Sequence, residues 1–240
     1  MGYNNNKVLH YVFTDVETTG LVANEDEILS IGIVICKVED FSVVAENEWY
    51  VKPEHIETAS PRALEVNGYT PEKWAANGER PPIEVLPEVA RWLRRGEFAG
   101  HNCPFDVGFI WTHAARLATA GFPGKPWSPL DTREWAKLLS GPGITPNNKL
   151  DALCDYYALP RGQYHGALED AHLSRLAAKA MRDQFLRGGE ALGPMGKAAA
   201  KIGAHAILGG LISKGPHDME TARVAATTAA VDRTSADEEP

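Results

Sequence analysis

The ten-residue run Ile28–Lys37, ILSIGIVICK, constrains the fold more than any other stretch of this chain. Its β-branched residues disfavour a helix, and its near-continuous apolar character suits a strand covered on both faces. Such a strand needs a layer of structure on each side. Val8–Thr14 reads as a second buried strand. Val43–Val51 alternates more and suits a third, joined to Ile28–Lys37 as a hairpin through the short link Val38–Ser42.

Helical patterns follow. Pro53–Pro82 is punctuated by Pro and Gly and holds short pieces such as Pro61–Val66. Pro82–Arg95 predicts a longer helix with Ile83, Leu86, Ala90 and Leu93 on one face. Phe98–Gly100 predicts a short strand leading into a helix over Pro104–Ala120, and Leu130–Asp131 ends another strand. Helices are expected at Thr132–Leu139, Lys149–Tyr157 and Gly166–Leu186. Residues 1–187 therefore read as one α/β domain. Residues 188–240 contain 12 Ala, 8 Gly and no aromatic residue, and end in the polar run DRTSADEEP. They predict a flexible, partly disordered tail, with Lys197–Leu208 as a candidate helix.

The 240 residues suffice for one sizeable domain with an appendage, without disulfide staples. Cys36, Cys103 and Cys154 show no paired spacing and read as reduced thiols, pointing to a cytoplasmic setting. The opening MGYNNNK has no apolar signal region, and no apolar run is long enough to span a membrane. The net charge of −8 argues at first against a polyanion partner. The charge is uneven, however. Residues 1–90 carry 6 Lys and Arg against 16 Asp and Glu, whereas residues 91–187 carry 13 against 9. Arg116, Lys149, Arg161 and Arg175 in the basic half are candidate phosphate contacts.

Three acidic motifs carry the chemistry. Thr14–Leu21 reads TDVETTGL at the end of the first strand. Residues two apart on a strand share a face, so Asp15 and Glu17 present two carboxylates side by side. That pairing calls for a cation, and oxygen ligands favour Mg²⁺ or Mn²⁺; a solvated strand end is the simpler alternative. In HNCPFDVGFI, Pro104 suits the first turn of a helix, which places Asp106 in that turn. There it either serves the site or complements the helix dipole. In YHGALEDA, His165 sits on the loop before a helix and Asp170 in an early turn. Ala167 is small enough to let another element approach closely. Asp131 reads as a helix N-cap, and Asp151 and Asp155 as solvent-facing. Trp49, Trp92, Trp111 and Trp135 read as packing residues, as do Trp74 and Trp127, whose loop-like contexts leave substrate contact as the alternative.

Taken in order, D-x-E, N-x-x-F-D and H-x-A-x-x-D closely resemble the DEDDh family of DnaQ-like 3′→5′ exonucleases over roughly residues 8–186. The position four before the last aspartate is Gly166, not Tyr, which places the resemblance in the His branch. It implies a ribonuclease H-like mixed sheet of about five strands flanked by helices. It implies that Asp15, Glu17, Asp106 and Asp170 hold two divalent cations, Mg²⁺ or Mn²⁺. His165 is then the general base for the attacking water.

The same resemblance places a nucleic-acid 3′ end over Thr18, Thr19, Gly20 and Leu21, with Leu21 stacking on the base and His101 and Asn102 facing the groove. The implied activity is hydrolysis of single-stranded DNA, or frayed 3′ ends, to 5′-mononucleotides, in proofreading or repair. An RNA-directed exonuclease of the oligoribonuclease or RNA-trimming kind is the alternative, and a non-catalytic nucleic-acid or polymerase-binding module a third reading. The resemblance leaves two readings of the C-terminal tail: a segment that binds a DNA polymerase or other replication partner, or an unattached linker. Two divalent cations would offset four of the negative charges, so the net charge does not exclude a strand end as substrate.

Overall fold

The computed structural model describes residues 8–139, 148–160 and 166–191. Five strands form one mixed sheet, in the order β3 (Val43–Tyr50), β2 (Ile28–Lys37), β1 (His10–Thr18), β4 (Glu97–Gly100) and β5 (Leu130–Asp131). The first three are antiparallel neighbours, whereas β4 and β5 run parallel to β1. β2 is central to the antiparallel half, and every residue before Lys37 is buried. That burial accounts for its apolar composition. β1 continues past Thr14, where the apolar run stops, because its last residues still pair with β2.

Two cores lie on opposite faces. On one, Val12, Ile33, Ile35 and Phe98 meet α3 (Pro82–Leu93) and α4 (Cys103–Arg116). On the other, Tyr11, Phe13, Val34 and Ala99 meet α5 (Thr132–Leu139), α6 (Leu150–Tyr157) and α7 (Ala167–Ala191). The short helices α1 (Pro61–Asn67) and α2 (Pro71–Ala76) lie between β3 and α3 in the chain. The buried arc of α3 differs from the expected face. It holds Val85, Leu86, Val89, Ala90 and Leu93, while Ile83 is 61 % exposed. The run 85, 86, 89, 90, 93 is itself a helical stripe, and Ile83 falls beyond its edge in the first turn.

The hairpin between β2 and β3 closes as expected, with Lys37 donating to the Ser42 carbonyl and Phe41 to the Lys37 carbonyl, both at 3.0 Å. Phe41 adopts a left-handed backbone (φ 59°) that a bulky residue seldom takes. Its ring is buried against Tyr11 and Phe13, which offsets the strain. Arg175 donates to the Phe41 carbonyl and Arg182 to that of Glu39, so the middle of α7 is tied to this turn. Arg175 is therefore a structural anchor and not the phosphate contact considered from sequence.

Candidate active site

The α7-facing side of β1 reads Tyr11, Phe13, Asp15, Glu17, turning from aromatic to acidic along one face. Opposite Asp15 on β2 stands Gly32. A Cβ at Gly32 would come within 2.2 Å of the Ala167 carbonyl carbon and the Leu168 nitrogen. The missing side chain is thus the space in which the first turn of α7 rests. Ala167, fully buried, completes this close approach, as its size led us to expect. Asp170 follows one turn on, where its N–H donates to the Gly166 carbonyl at 2.8 Å. Carboxylate oxygens of Asp15, Glu17 and Asp170 all lie within 4.8 Å of one another, on half-buried side chains.

Asp106 enters from α4, on the other face. It is only 2 % exposed, and its Oδ1 accepts the Val16 N–H at 3.1 Å. It therefore sits behind the three clustered carboxylates. Asp131 accepts N–H groups from Arg133, Asn102 and Cys103, each at 2.9 Å. One carboxylate thus caps its own helix and also the start of α4, where Asn102 has a left-handed backbone and offers no side-chain cap. The His101 ring contacts the Thr132 hydroxyl at 2.9 Å, and the Asn102 amide oxygen accepts from Arg133 at 2.8 Å. Burial lowers the His101 pKa and favours the neutral ring.

After β1 the chain turns through Thr18–Asp26. The Thr18 hydroxyl donates to the Gly20 carbonyl at 2.6 Å, and the Thr19 hydroxyl accepts from Glu27 at 2.8 Å. The Asp26 carboxylate accepts the Val22 N–H at 2.8 Å and fills the place a Gly20 side chain would need. Asn67 and Ser60 donate to the Thr18 and Thr19 carbonyls. With its polar groups held inward, the turn presents Leu21, 82 % exposed, at its crest.

His165 and Arg161 lie outside the described residues, as does everything after Ala191, including the expected helix at 197–208. Asp151 and Asp155 are exposed, as read from sequence. Trp74 is buried and donates to the Leu29 carbonyl at 2.7 Å, a packing role. Trp127 is 97 % exposed, so the packing role expected for it is absent. Arg116 donates to the Asn24 carbonyl, bracing the turn from α4. Two residues of the site went unnoticed in the sequence. Gly32 had a usable signal, since a glycine inside so apolar a strand marks a close backbone approach. Glu48 had none. It lies beside Gly32 in the β2–β3 register, and its carboxylate accepts the Leu168 N–H and the Tyr50 hydroxyl.

The electrostatics fit a cation. Burial, then the charges of Asp106, Asp170, Glu17 and Glu48, push the Asp15 carboxyl well above its ordinary range. Burial does the same to Asp106, against the hydrogen bonds from its own N–H and that of Val16. Acids so placed repel one another unless positive charge lies among them. An all-oxygen donor set of this kind matches a hard divalent ion. Asp15, Glu17 and Asp170 are the residues that would hold it.

Comparison with known proteins bears on the whole arrangement. The RNase T model, described as exonuclease, matches residues 12–176. DNA polymerase III of the PolC type from Thermotoga petrophila is 32% identical over 166 residues, covering 68% of this chain and 11% of that protein. The PolC-type polymerase of Staphylococcus haemolyticus is 32% identical over 163 residues, 67% of this chain and 10% of its own. The chain thus spans about a tenth of the length of these relatives. Among solved structures, E. coli exonuclease I in complex with a dT13 oligonucleotide superposes with a TM-score of 0.63 at 18% identity, covering 77% of this chain and 43% of that one. The mixed five-stranded sheet, the three clustered carboxylates with Asp106 behind them, and the family match agree: this chain belongs to the RNase T exonuclease family, in its DEDDh, DnaQ-like branch, with a ribonuclease H-like fold.

Proposed function

We propose that this chain is a metal-dependent 3′→5′ exonuclease that removes 5′-mononucleotides from single-stranded DNA or frayed 3′ ends. The observation that carries the reading is the meeting of Asp15, Glu17 and Asp170 within 4.8 Å, beside a turn that exposes Leu21. Two divalent cations, Mg²⁺ or Mn²⁺, would supply an activated water and charge stabilisation at phosphorus. Asp15, Glu17 and Asp170 would hold them, with Asp106 contributing directly or through water. His165 takes the proton of the attacking water on its imidazole nitrogen. The Thr18–Leu21 turn borders the terminal 3′-hydroxyl with its N–H groups other than that of Thr19, which the Glu27 carbonyl takes, and Leu21 covers the face of the last base. An apolar cover of this kind accepts any base, which suits an enzyme without sequence preference. His101 and Asn102 border the groove, and their bonds to Thr132 and Arg133 pre-set their orientation.

DNA is favoured as substrate because the polymerase relatives are DNA polymerases and the exonuclease I structure holds a dT13 oligonucleotide. The tail at 188–240, whose first residues to Ala191 continue α7, is assigned to contact with a DNA polymerase or another replication protein, beyond the catalytic domain at 1–187. We place the protein in the cytoplasm, where the buried thiols of Cys36, Cys103 and Cys154, none in a disulfide, stay reduced. No helix among the described residues is long and apolar enough to cross a membrane.

The test is degradation of matched 3′- and 5′-labelled DNA and RNA, with Mg²⁺, with Mn²⁺ and with EDTA. Stepwise loss from the 3′ end, abolished by EDTA and by Asp15→Ala or Asp170→Ala, is the expected result. Faster cleavage of RNA would reassign the substrate. Metal-dependent cleavage undiminished in Asp15→Ala would overturn the site.

A further inference from the structure

Both helices that carry inner carboxylates begin in an unusual way. A helix leaves its first N–H groups without intrahelical partners, and the residue at its own N-cap normally serves them. The start of α4, which bears Asp106, is instead capped by Asp131 from the end of β5. The start of α7, which bears Asp170, follows Gly166, which has no side chain to offer. There the Leu168 N–H is taken by Glu48 from β3. Glu48, Gly32 and Asp15 lie in one row across three neighbouring strands. The helix start rests on the middle member, and an outer member holds it by hydrogen bond. The Tyr50 hydroxyl donates to Glu48 Oε2 at 3.0 Å and fixes the direction of the carboxylate.

An acid is a costly choice for this place. Glu48 adds its charge to those already facing Asp15. A neutral acceptor would cap the helix without that repulsion. A carboxylate is, however, the strongest side-chain acceptor for a helix N-terminus, and its charge complements the dipole. The arrangement therefore favours firm placement of α7 over relief of the acidic cluster.

We propose that Glu48 is a positioning residue of the exonuclease site. It fixes the first turn of α7 on the sheet, so that the Asp170 carboxylate reaches Asp15 and Glu17 in the geometry a divalent ion requires. The inference rests on the exonuclease reading above, and deepens it by naming a residue outside the five family positions. Residues that orient metal ligands from behind typically change metal affinity or activity by about 10–100-fold when removed.

The test compares wild type, Glu48→Gln and Glu48→Met, all of similar side-chain volume. Mn²⁺ binding is measured by calorimetry and electron paramagnetic resonance, kcat and KM on a single-stranded oligonucleotide, and Tm by circular dichroism. Glu48→Met, which cannot accept the Leu168 N–H, is expected to bind Mn²⁺ about tenfold more weakly and lose kcat, with KM little changed. Glu48→Gln keeps an acceptor oxygen and is expected to recover most of both. A lower Tm with wild-type Mn²⁺ affinity and kcat in Glu48→Met would reduce Glu48 to a structural part and overturn the proposal. Equal loss in Glu48→Gln and Glu48→Met would overturn it too, by assigning the effect to charge. Should Glu48→Met not fold, Tyr50→Phe takes its place: weaker Mn²⁺ binding supports the proposal, and unchanged binding rejects it. Wild-type protein that neither binds Mn²⁺ nor cleaves would instead refute the exonuclease reading itself.

Discussion

Gly32 faces Asp15 across the β1–β2 ladder, and the hydrogen it bears in place of a side chain is what lets α7 carry Asp170 to the acidic end of β1. Gly32→Ala is accordingly expected to do more than crowd a core. The added methyl meets helix backbone, which cannot rotate away. A cost of roughly 1–3 kcal/mol is expected from overpacking, seen as a fall of several degrees in Tm. Activity should fall further than stability, because the displaced helix takes Asp170 with it. Unchanged Tm and rate in the variant would show that α7 tolerates a wider spacing.

The raised pKa values of Asp15 and Asp106 imply a pH dependence of the metal-free protein. Burial and facing acids hold both carboxyls more protonated in the folded chain than in the unfolded one. Between the two pKa values the folded state binds more protons, so stability falls as pH rises. Without metal, Tm is expected to decline from about pH 4 upward through the raised values, and Asp15→Asn to flatten that decline. The Glu88 carboxyl, held down to about 2 chiefly by hydrogen bonds from Arg80, acts in the opposite sense and only at lower pH. Thermal scans in EDTA across this range check the sign.

Addition of Mn²⁺ or Mg²⁺ should reverse the loss. An ion that binds only the folded state raises Tm in proportion to the logarithm of its concentration above Kd. The rise should be largest at neutral pH, where the carboxyls must otherwise repel, and absent from Asp15→Ala. A Tm indifferent to either ion at millimolar concentration would speak against a cation site at these residues.

His165→Ala is expected to lower kcat by about 10²–10⁴-fold while leaving Mn²⁺ binding intact, as befits a base rather than a ligand. Single-turnover rates over pH, alongside Mn²⁺ titration, separate the two roles.

Leu21→Ala should act on substrate alone. The side chain is almost wholly exposed, so its removal leaves Tm within a degree or two. KM for an oligonucleotide should rise by roughly three- to tenfold with kcat nearly constant, the pattern of lost uniform binding. A fall in kcat instead would mean that the crest of the turn helps align the scissile bond.

The central part of this site was readable because its residues obey local rules. Asp15 and Glu17 share a face by strand alternation, and Pro104 marks the helix start that places Asp106. Asp131 was read as an N-cap and is one, but its second duty to α4 needs the neighbouring strand and helix to be known. Glu48 was illegible for the same reason. Nothing distinguishes it from Glu46 two positions earlier until β3 is set in register against Gly32. Arg175 and Ile83 show the other limit: charge and spacing name residues able to play a part, whereas packing decides which of them faces the site.

Among the described residues the sheet ends at β3, whose ladder partner is β2, with a single bridge from Val51 to Arg80 just past its end. Margins of a sheet open by local fraying at a lower free energy than global unfolding. With Glu48 seated on that margin, each opening releases the start of α7, and it also loosens the edge of the core that holds Trp49. On warming, catalysis should then fade below the melting temperature, and amide exchange along β3 should keep pace with that fading. If Glu48 holds α7 as proposed, the working ceiling is expected at the rim of the sheet, below the temperature of global unfolding.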